Sequence, residues 1–143
     1  MSRTTSTSRY VSVTNEPVYN HGFKALYDND IDLSDSHLGD EAIRLLCKQL
    51  VGNKFVKTLD LSHNKFGAEG VKRIAELLEN NSCIEHVNIQ GAWIYDNEAS
   101  QLRDALEKNN TIKSLVFDRN LAPEDECDDI DRILLRNQSL NKL

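Results

Sequence analysis

The residues best suited to chemistry are the alternating oxygens of Asp28-Asn-Asp30-Ile-Asp32-Leu-Ser34-Asp-Ser36. Oxygen ligands at every second position imitate the first half of a calcium-binding loop. The second half breaks the pattern, because Leu33 stands where the sharp turn requires glycine and Gly39 where a bidentate Glu belongs. His21, His37, His63 and His86 show neither H-x-x-x-H nor H-x-x-E-H spacing and read as surface histidines. Cys47, Cys83 and Cys127 form no C-x-x-C pair. Their odd number argues against a disulfide framework or zinc knuckle and for a reducing compartment. The run Glu124–Asp131 gathers carboxylates at the expected start of a helix, where the macrodipole favours them. With no G-x-S-x-G elbow and no glycine-rich phosphate loop, the expectation is no enzyme, no cofactor and no metal site.

The elements that position these residues follow from an internal repeat. Val56-Lys-Thr-Leu-Asp-Leu-Ser-His-Asn64 recurs as Ile84-Glu-His-Val-Asn-Ile-Gln-Gly-Ala92 and as Ile112-Lys-Ser-Leu-Val-Phe-Asp-Arg-Asn120, each start 28 residues after the last. One step back gives Asp28–Ser36, and one step forward Leu140–Leu143. The units are therefore 28–55, 56–83, 84–111 and 112–139, with a truncated fifth at 140–143, and residues 1–27 form a Ser/Thr-rich tail and possible cap. Within units, Ile31/Leu33, Leu59/Leu61, Val87/Ile89 and Leu115/Phe117 alternate with polar residues, as in a strand buried on one face. Some ten residues on, the spacing turns helical: Ile43, Leu46 and Leu50, then Val71, Ile74 and Leu78, Ala99, Leu102 and Leu106, and Cys127, Ile130 and Leu134. Asparagines close the helices at Gly52-Asn53-Lys54, Asn80-Asn81-Ser82, Asn109-Asn110 and Asn137-Gln138. A lone unit cannot cover its apolar face, whereas stacked units can.

Leu59-Asp-Leu-Ser-His-Asn64-Lys-Phe66-Gly67-Ala-Glu-Gly70 fits L-x-L-x-x-N-x-L-G-x-x-G, with Phe66 in the last Leu position. In this the chain resembles the leucine-rich repeats of the ribonuclease-inhibitor type, which include ribonuclease inhibitor, the Ran GTPase-activating protein and the tropomodulins. The resemblance spans residues 28–143. It implies an α/β, right-handed leucine-rich-repeat solenoid with parallel strands on the concave face and helices on the convex face. Ser36 and Ala92 depart from the asparagine of Asn64 and Asn120, and Tyr95 and Pro123 replace Gly39 and Gly67. An incomplete asparagine ladder and irregular third and fourth turns are expected.

Two surfaces are candidates for a partner. The concave columns read Asp30, Asp32, Ser34; Thr58, Asp60, Ser62; His86, Asn88, Gln90; and Ser114, Val116, Asp118. Four strands spaced ~4.8 Å apart give a face roughly 15–20 Å across, acidic enough to attract a basic segment; the competing reading is that these charges only solvate the arc. Trp93 and Tyr95 are the second candidate, aromatic residues at an exposed loop position, against the reading that Trp93 folds over the repeat edge.

Charge and hydropathy narrow the partner further. Arg3, Arg9 and Lys24 against Glu16 give residues 1–27 a net +2, while 14 basic and 22 acidic side chains give the remainder −8. An acidic body disfavours nucleic acid, and no apolar run has membrane-spanning length. The repeat is expected to stop half a strand into a fifth unit, leaving an uncovered edge. Arg9-Tyr-Val-Ser-Val13 alternates as a strand would, and Val18, Tyr19, Phe23, Leu26 and Tyr27 are candidates to cover the first unit. The reading is a non-enzymatic protein–protein interaction module, an adaptor or structural subunit of a hetero-oligomeric cytoplasmic assembly. Alternatives are a GTPase-activating or inhibitory regulator and an actin- or cytoskeleton-binding repeat. The acid-poor, Arg-bearing start leaves a mitochondrial or cytoskeletal/ciliary location as the alternative.

Overall fold

In the computed structural model, which describes residues 26–140, the period of the sequence becomes the register of a sheet. Among these residues four strands, β1 (Asp30–Asp32), β2 (Thr58–Asp60), β3 (His86–Asn88) and β4 (Ser114–Val116), alternate with four helices, α1 (Asp40–Leu50), α2 (Ala68–Asn80), α3 (Asp96–Glu107) and α4 (Glu124–Leu140). The strands pair in parallel in the order β1-β2-β3-β4. Asp30 lies opposite Thr58, Thr58 opposite His86 and His86 opposite Ser114, so each lateral neighbour is one 28-residue unit away. This is the α/β leucine-rich-repeat architecture that the resemblance implies, with the strand and helix alternation that the periodicity predicts.

The core is the space between sheet and helices. The eight alternating strand residues, Ile31 to Phe117, are at most 6% exposed, and the twelve helix-stripe residues at most 7%. Burying one such Leu or Ile contributes ~1.5–3 kcal/mol. A single unit would leave its flanks wet, so each unit is stabilised by its neighbours, and the helices pack in sequence order, α1 on α2, α2 on α3, α3 on α4.

A second repeating feature is polar. Asn81 Nδ2 donates to Leu50 O at 2.8 Å and Asn53 O at 3.2 Å, while its Oδ1 accepts from Cys83 N and Ile84 N. One unit on, Asn109 Nδ2 donates to Leu78 O and Asn81 O, and its Oδ1 accepts from Thr111 N and Ile112 N. Asn53 begins the series, donating to Leu26 O and accepting from Phe55 N and Val56 N. The asparagines read as helix stops are thus a buried ladder that satisfies helix-end carbonyls and turns the chain into the next strand.

The expectations need correction at the third turn and at the end of the last unit. The helix starts are regular in the third and fourth units, since the first helical bonds Ile43 N to Gly39 O, Val71 N to Gly67 O, Ala99 N to Tyr95 O and Cys127 N to Pro123 O repeat in all four. The fourth turn, however, falls two residues late, at Asn120–Leu121 where the register of Ser62–His63 places it at Asp118–Arg119. Tyr95 fits because that position is extended (φ −94°, ψ −167°), like Gly39 (φ −99°, ψ −171°), and needs no glycine. Gly70 is the glycine that space demands, since a Cβ there would lie 2.7 Å from Phe66 Cβ and 2.9 Å from Asp40 Oδ1.

The last helix does not stop at Asn137-Gln138, and Leu140, expected to open a fifth strand, is the last residue of α4. Arg136 Nη2 takes the helix-end carbonyls, Leu106 O at 3.2 Å and Asn109 O at 2.7 Å, that an asparagine amide takes in earlier units. Asn137 then stays helical and donates to Ile112 O. Nor is the edge beyond β4 wholly uncovered. Lys113 O, matching the carbonyls of Asn29, Lys57 and Glu85 that accept from the following strand, receives Gln138 Nε2 at 2.8 Å.

The expected strand at 9–13, the residues Val18, Tyr19 and Phe23, and residues 141–143 lie outside the described residues. Leu26 is packed against the core, and Tyr27 meets Phe55 edge-on with ring centroids 4.8 Å apart.

Candidate functional site

The face of the sheet opposite the helices carries the first candidate surface. Asp30, His86, Gln90 and Val116 are exposed on it, and Asp32, Asp60, Asn88 and Asp118 are half-buried. Strand alternation puts them there, because Ile31, Leu59, Val87 and Leu115 between them point into the core.

Their chemistry is more differentiated than the sequence columns suggest. Asp32 Oδ1 accepts from Ser34 N at 3.0 Å and Ser34 Oγ at 2.7 Å, and Asp60 Oδ1 accepts from Ser62 N at 3.0 Å and Ser62 Oγ at 2.6 Å. Asn88 Oδ1 accepts from Gln90 N in the same way. One oxygen of each side chain thus bends the chain out of its strand. These aspartates are not merely free carboxylates on a soluble face, as the column reading treats them. Asp118 is likewise part of the framework, its Oδ2 accepting from Gly91 N at 3.0 Å. His86 Nδ1 lies 2.8 Å from Ser114 Oγ on the next strand. Among the described residues Asp30 makes no such bond.

The electrostatics set this face apart. Among the described residues, Asp30, Asp32, Asp60 and Asp118 enter no ion pair, whereas Glu126 meets Arg103 at 2.8 Å and Asp131 meets Arg119 at 2.7 Å. Lys57 and Lys113, just before β2 and β4, are both turned to Glu85, at 3.9 and 3.4 Å. Asp32 and Asp60 are direct register partners on adjacent strands. Like charges so placed repel and destabilise a sheet. A cation laid across β1 and β2 would relieve that repulsion.

The second candidate surface lies at the loop tips after the strands. Trp93 is 69% exposed and Tyr95 46%, with rings edge to face at 6.4 Å. Trp93 therefore projects from the loop, while its neighbours Ala92 and Ile94 are buried.

The remaining reactive residues are structural. All three cysteines are buried and free. Burial pushes the Cys47 thiol up to about 12, and burial also raises that of Cys127. Asp40 Oδ1 accepts from Gly67 N at 2.7 Å and Gly70 N at 2.9 Å, so the first unit's carboxylate holds the start of α2. Among the described residues no group of three or more His, Cys, Asp or Glu is arranged to hold a metal ion. No helix among them is long and apolar enough to cross a membrane.

Sequence reasoning missed Arg136 and the bridging role of half-buried Asn53 and buried Asn81 and Asn109. The asparagines were detectable through their 28-residue spacing; Arg136 left no periodic signal, since it aligns with Lys108 of the unit before.

Comparison with known proteins supports the fold. A family model described as Leucine Rich repeat matches residues 52–75. No curated protein matches the chain. Among solved structures it is similar to Leiomodin-1 Actin-Binding Site 2, at 18% identity over 94% of this chain and 79% of that one, with a TM-score of 0.78. It is also similar to the tropomodulin C-terminal domain of Caenorhabditis elegans, at 13% identity over 84% of this chain and 93% of that one, with a TM-score of 0.56. At these identities the likeness is one of fold, a leucine-rich-repeat solenoid of the ribonuclease-inhibitor type.

Proposed function

We propose that the chain is a non-enzymatic protein-interaction module whose helix-free sheet face receives a basic segment of another protein within a cytoplasmic assembly. The observation that carries this reading is the set of carboxylates Asp30, Asp32 and Asp60, which enter no ion pair among the described residues, two of them in direct register across β1 and β2. A fold that needed only solubility would gain nothing from setting like charges opposite each other; a cationic partner converts that repulsion into attraction. Titrating a labelled lysine- and arginine-rich peptide into the protein at low and high salt tests this. Saturable binding that weakens with salt is expected, and equal affinity for a glutamate-rich peptide of the same length contradicts it.

A second reading, actin or cytoskeletal binding, is favoured by the similarity to a leiomodin segment described as an actin-binding site. Co-sedimentation with filaments, with and without the basic peptide as competitor, separates the two. A GTPase-activating role finds no support in Arg119, the arginine such a role would draw on. Its guanidinium is held by both Asp131 oxygens, at 2.7 and 2.9 Å, and lies 4.8 Å over the Phe117 ring.

A further inference from the structure

The loop tips after β2 and β3 form a recess of ≈ 390 Å³ lined by Asn64, Lys65, Phe66, Gly67, Gly91 and Trp93. Its walls are held in place by the fold. Asn64 is 7% exposed and joins the loop after β1 to its own, its Oδ1 accepting from Ser36 N and Leu38 N and its Nδ2 donating to Leu33 O and Leu61 O. Gly91 has φ +100°, and a Cβ built there would lie 3.1 Å from the His63 backbone, which ties the third loop to the second. The recess is therefore formed before anything binds, and an occupant does not have to order it.

Three properties describe what fits. The walls are apolar and aromatic at Phe66 and Trp93, and Tyr95 stands edge-on behind the indole. Lys65 is exposed and, unlike Lys57, Lys108 and Lys113, has no carboxylate within ion-pair distance among the described residues. Asp40, the carboxylate at the start of α1, is committed to Gly67 N and Gly70 N. Trp93 and Lys65 also occupy the same repeat position, 28 residues apart, and so sit side by side along the loop tips.

We propose that this recess is a second docking surface, for a protein segment that presents a bulky apolar side chain beside a carboxylate. The apolar side chain fills the space between Phe66 and Trp93, and the carboxylate meets Lys65. A cationic segment is disfavoured, because it would meet an ammonium that has no ion pair among the described residues. The two surfaces thus select partners of opposite charge, and this one does not depend on the acidic sheet face.

Trp93 is the sole tryptophan of the chain, so its emission reports this site alone. The test titrates a blocked peptide with Leu-Phe flanked by aspartates, a second with the aspartates changed to lysines, and a third with Leu-Phe changed to Ser-Ser. A saturable blue shift is expected with the first peptide only, weakened at least tenfold in Lys65→Glu and unchanged in Asp30→Asn/Asp32→Asn/Asp60→Asn. Lys65 is exposed, so Lys65→Glu should melt with the parent protein by circular dichroism. No saturable shift, or equal binding of the lysine peptide, overturns the proposal. An emission shift on concentrating the protein alone also overturns it, since the occupant would then be a second copy.

Discussion

Replacing Asn109 by Ala should cost far more than replacing its neighbour Asn110, although both are asparagines at the end of α3. Asn109 is 3% exposed and its side chain makes four bonds to backbone groups, from Nδ2 to Leu78 O at 2.8 Å and Asn81 O at 3.1 Å, and to Oδ1 from Thr111 N and Ile112 N, both at 2.7 Å. Asn110 is exposed. Each bond contributes about 1 kcal/mol net, and a buried group left unpaired costs ~1–3 kcal/mol. Relaxation and entering water recover part of this, so a loss of about 3–5 kcal/mol is expected, a large share of the ~5–15 kcal/mol typical of a domain. In a domain of this size that lowers Tm by roughly 10–20 °C. Asn109→Asp should fare no better, because it keeps the acceptor but turns a carboxylate toward two carbonyls. Urea titration followed by far-UV circular dichroism, with Asn110→Ala as control, measures the difference. If Asn109→Ala and Asn110→Ala agree within about 1 kcal/mol, the ladder does not hold the units together and the reasoning is wrong.

Other substitutions probe the remaining features. Gly70→Ala forces a Cβ to within 2.7 Å of Phe66 Cβ and should destabilise by about 1–3 kcal/mol, whereas Gly52→Ala, with nothing within 4 Å, should change stability little in the same melts. Arg136→Leu strips the donor from Leu106 O and Asn109 O; faster amide exchange confined to the last unit is expected, and unchanged exchange there would argue against it. Cys47 favours its neutral thiol in the folded state, so its contribution is fully present below the unfolded thiol value, ~8.5, and is lost as pH rises toward about 12. Cys47→Ala should flatten that alkaline decline in Tm, and native Cys47, 5% exposed, should resist thiol reagents until the protein unfolds.

Much of this fold is legible because one period governs two kinds of packing. Ile31, Leu59, Val87 and Leu115 announce the strands and, by their 28-residue spacing, the register as well, since stacking leaves no other neighbour to pair with. The helix stripes are legible for the same reason. Less visible are residues whose work is polar and buried. Asn81 and Asn109 look like ordinary helix stops until their amides are seen to reach carbonyls 28 and 31 residues back. Tyr95 looks like damage to a glycine turn, because composition does not show that the backbone there is extended. At the candidate site the columns placed Asp32 and Asp60 on one face, but not that each spends an oxygen on the next turn. That detail depends on where the strand bends, which alternation alone does not specify.

The acidic sheet face can be tested without disturbing that bend, because Asn88 already performs the turn with an amide oxygen in β3. Asp30→Asn, Asp32→Asn and Asp60→Asn together remove three charges and keep every acceptor the turns use. Titrating a labelled lysine- and arginine-rich peptide into the parent and the triple variant measures the central claim directly. A Tm equal to or above that of the parent is expected, from relief of the Asp32–Asp60 repulsion, with affinity reduced tenfold or more. Undiminished affinity in a folded triple variant would contradict it.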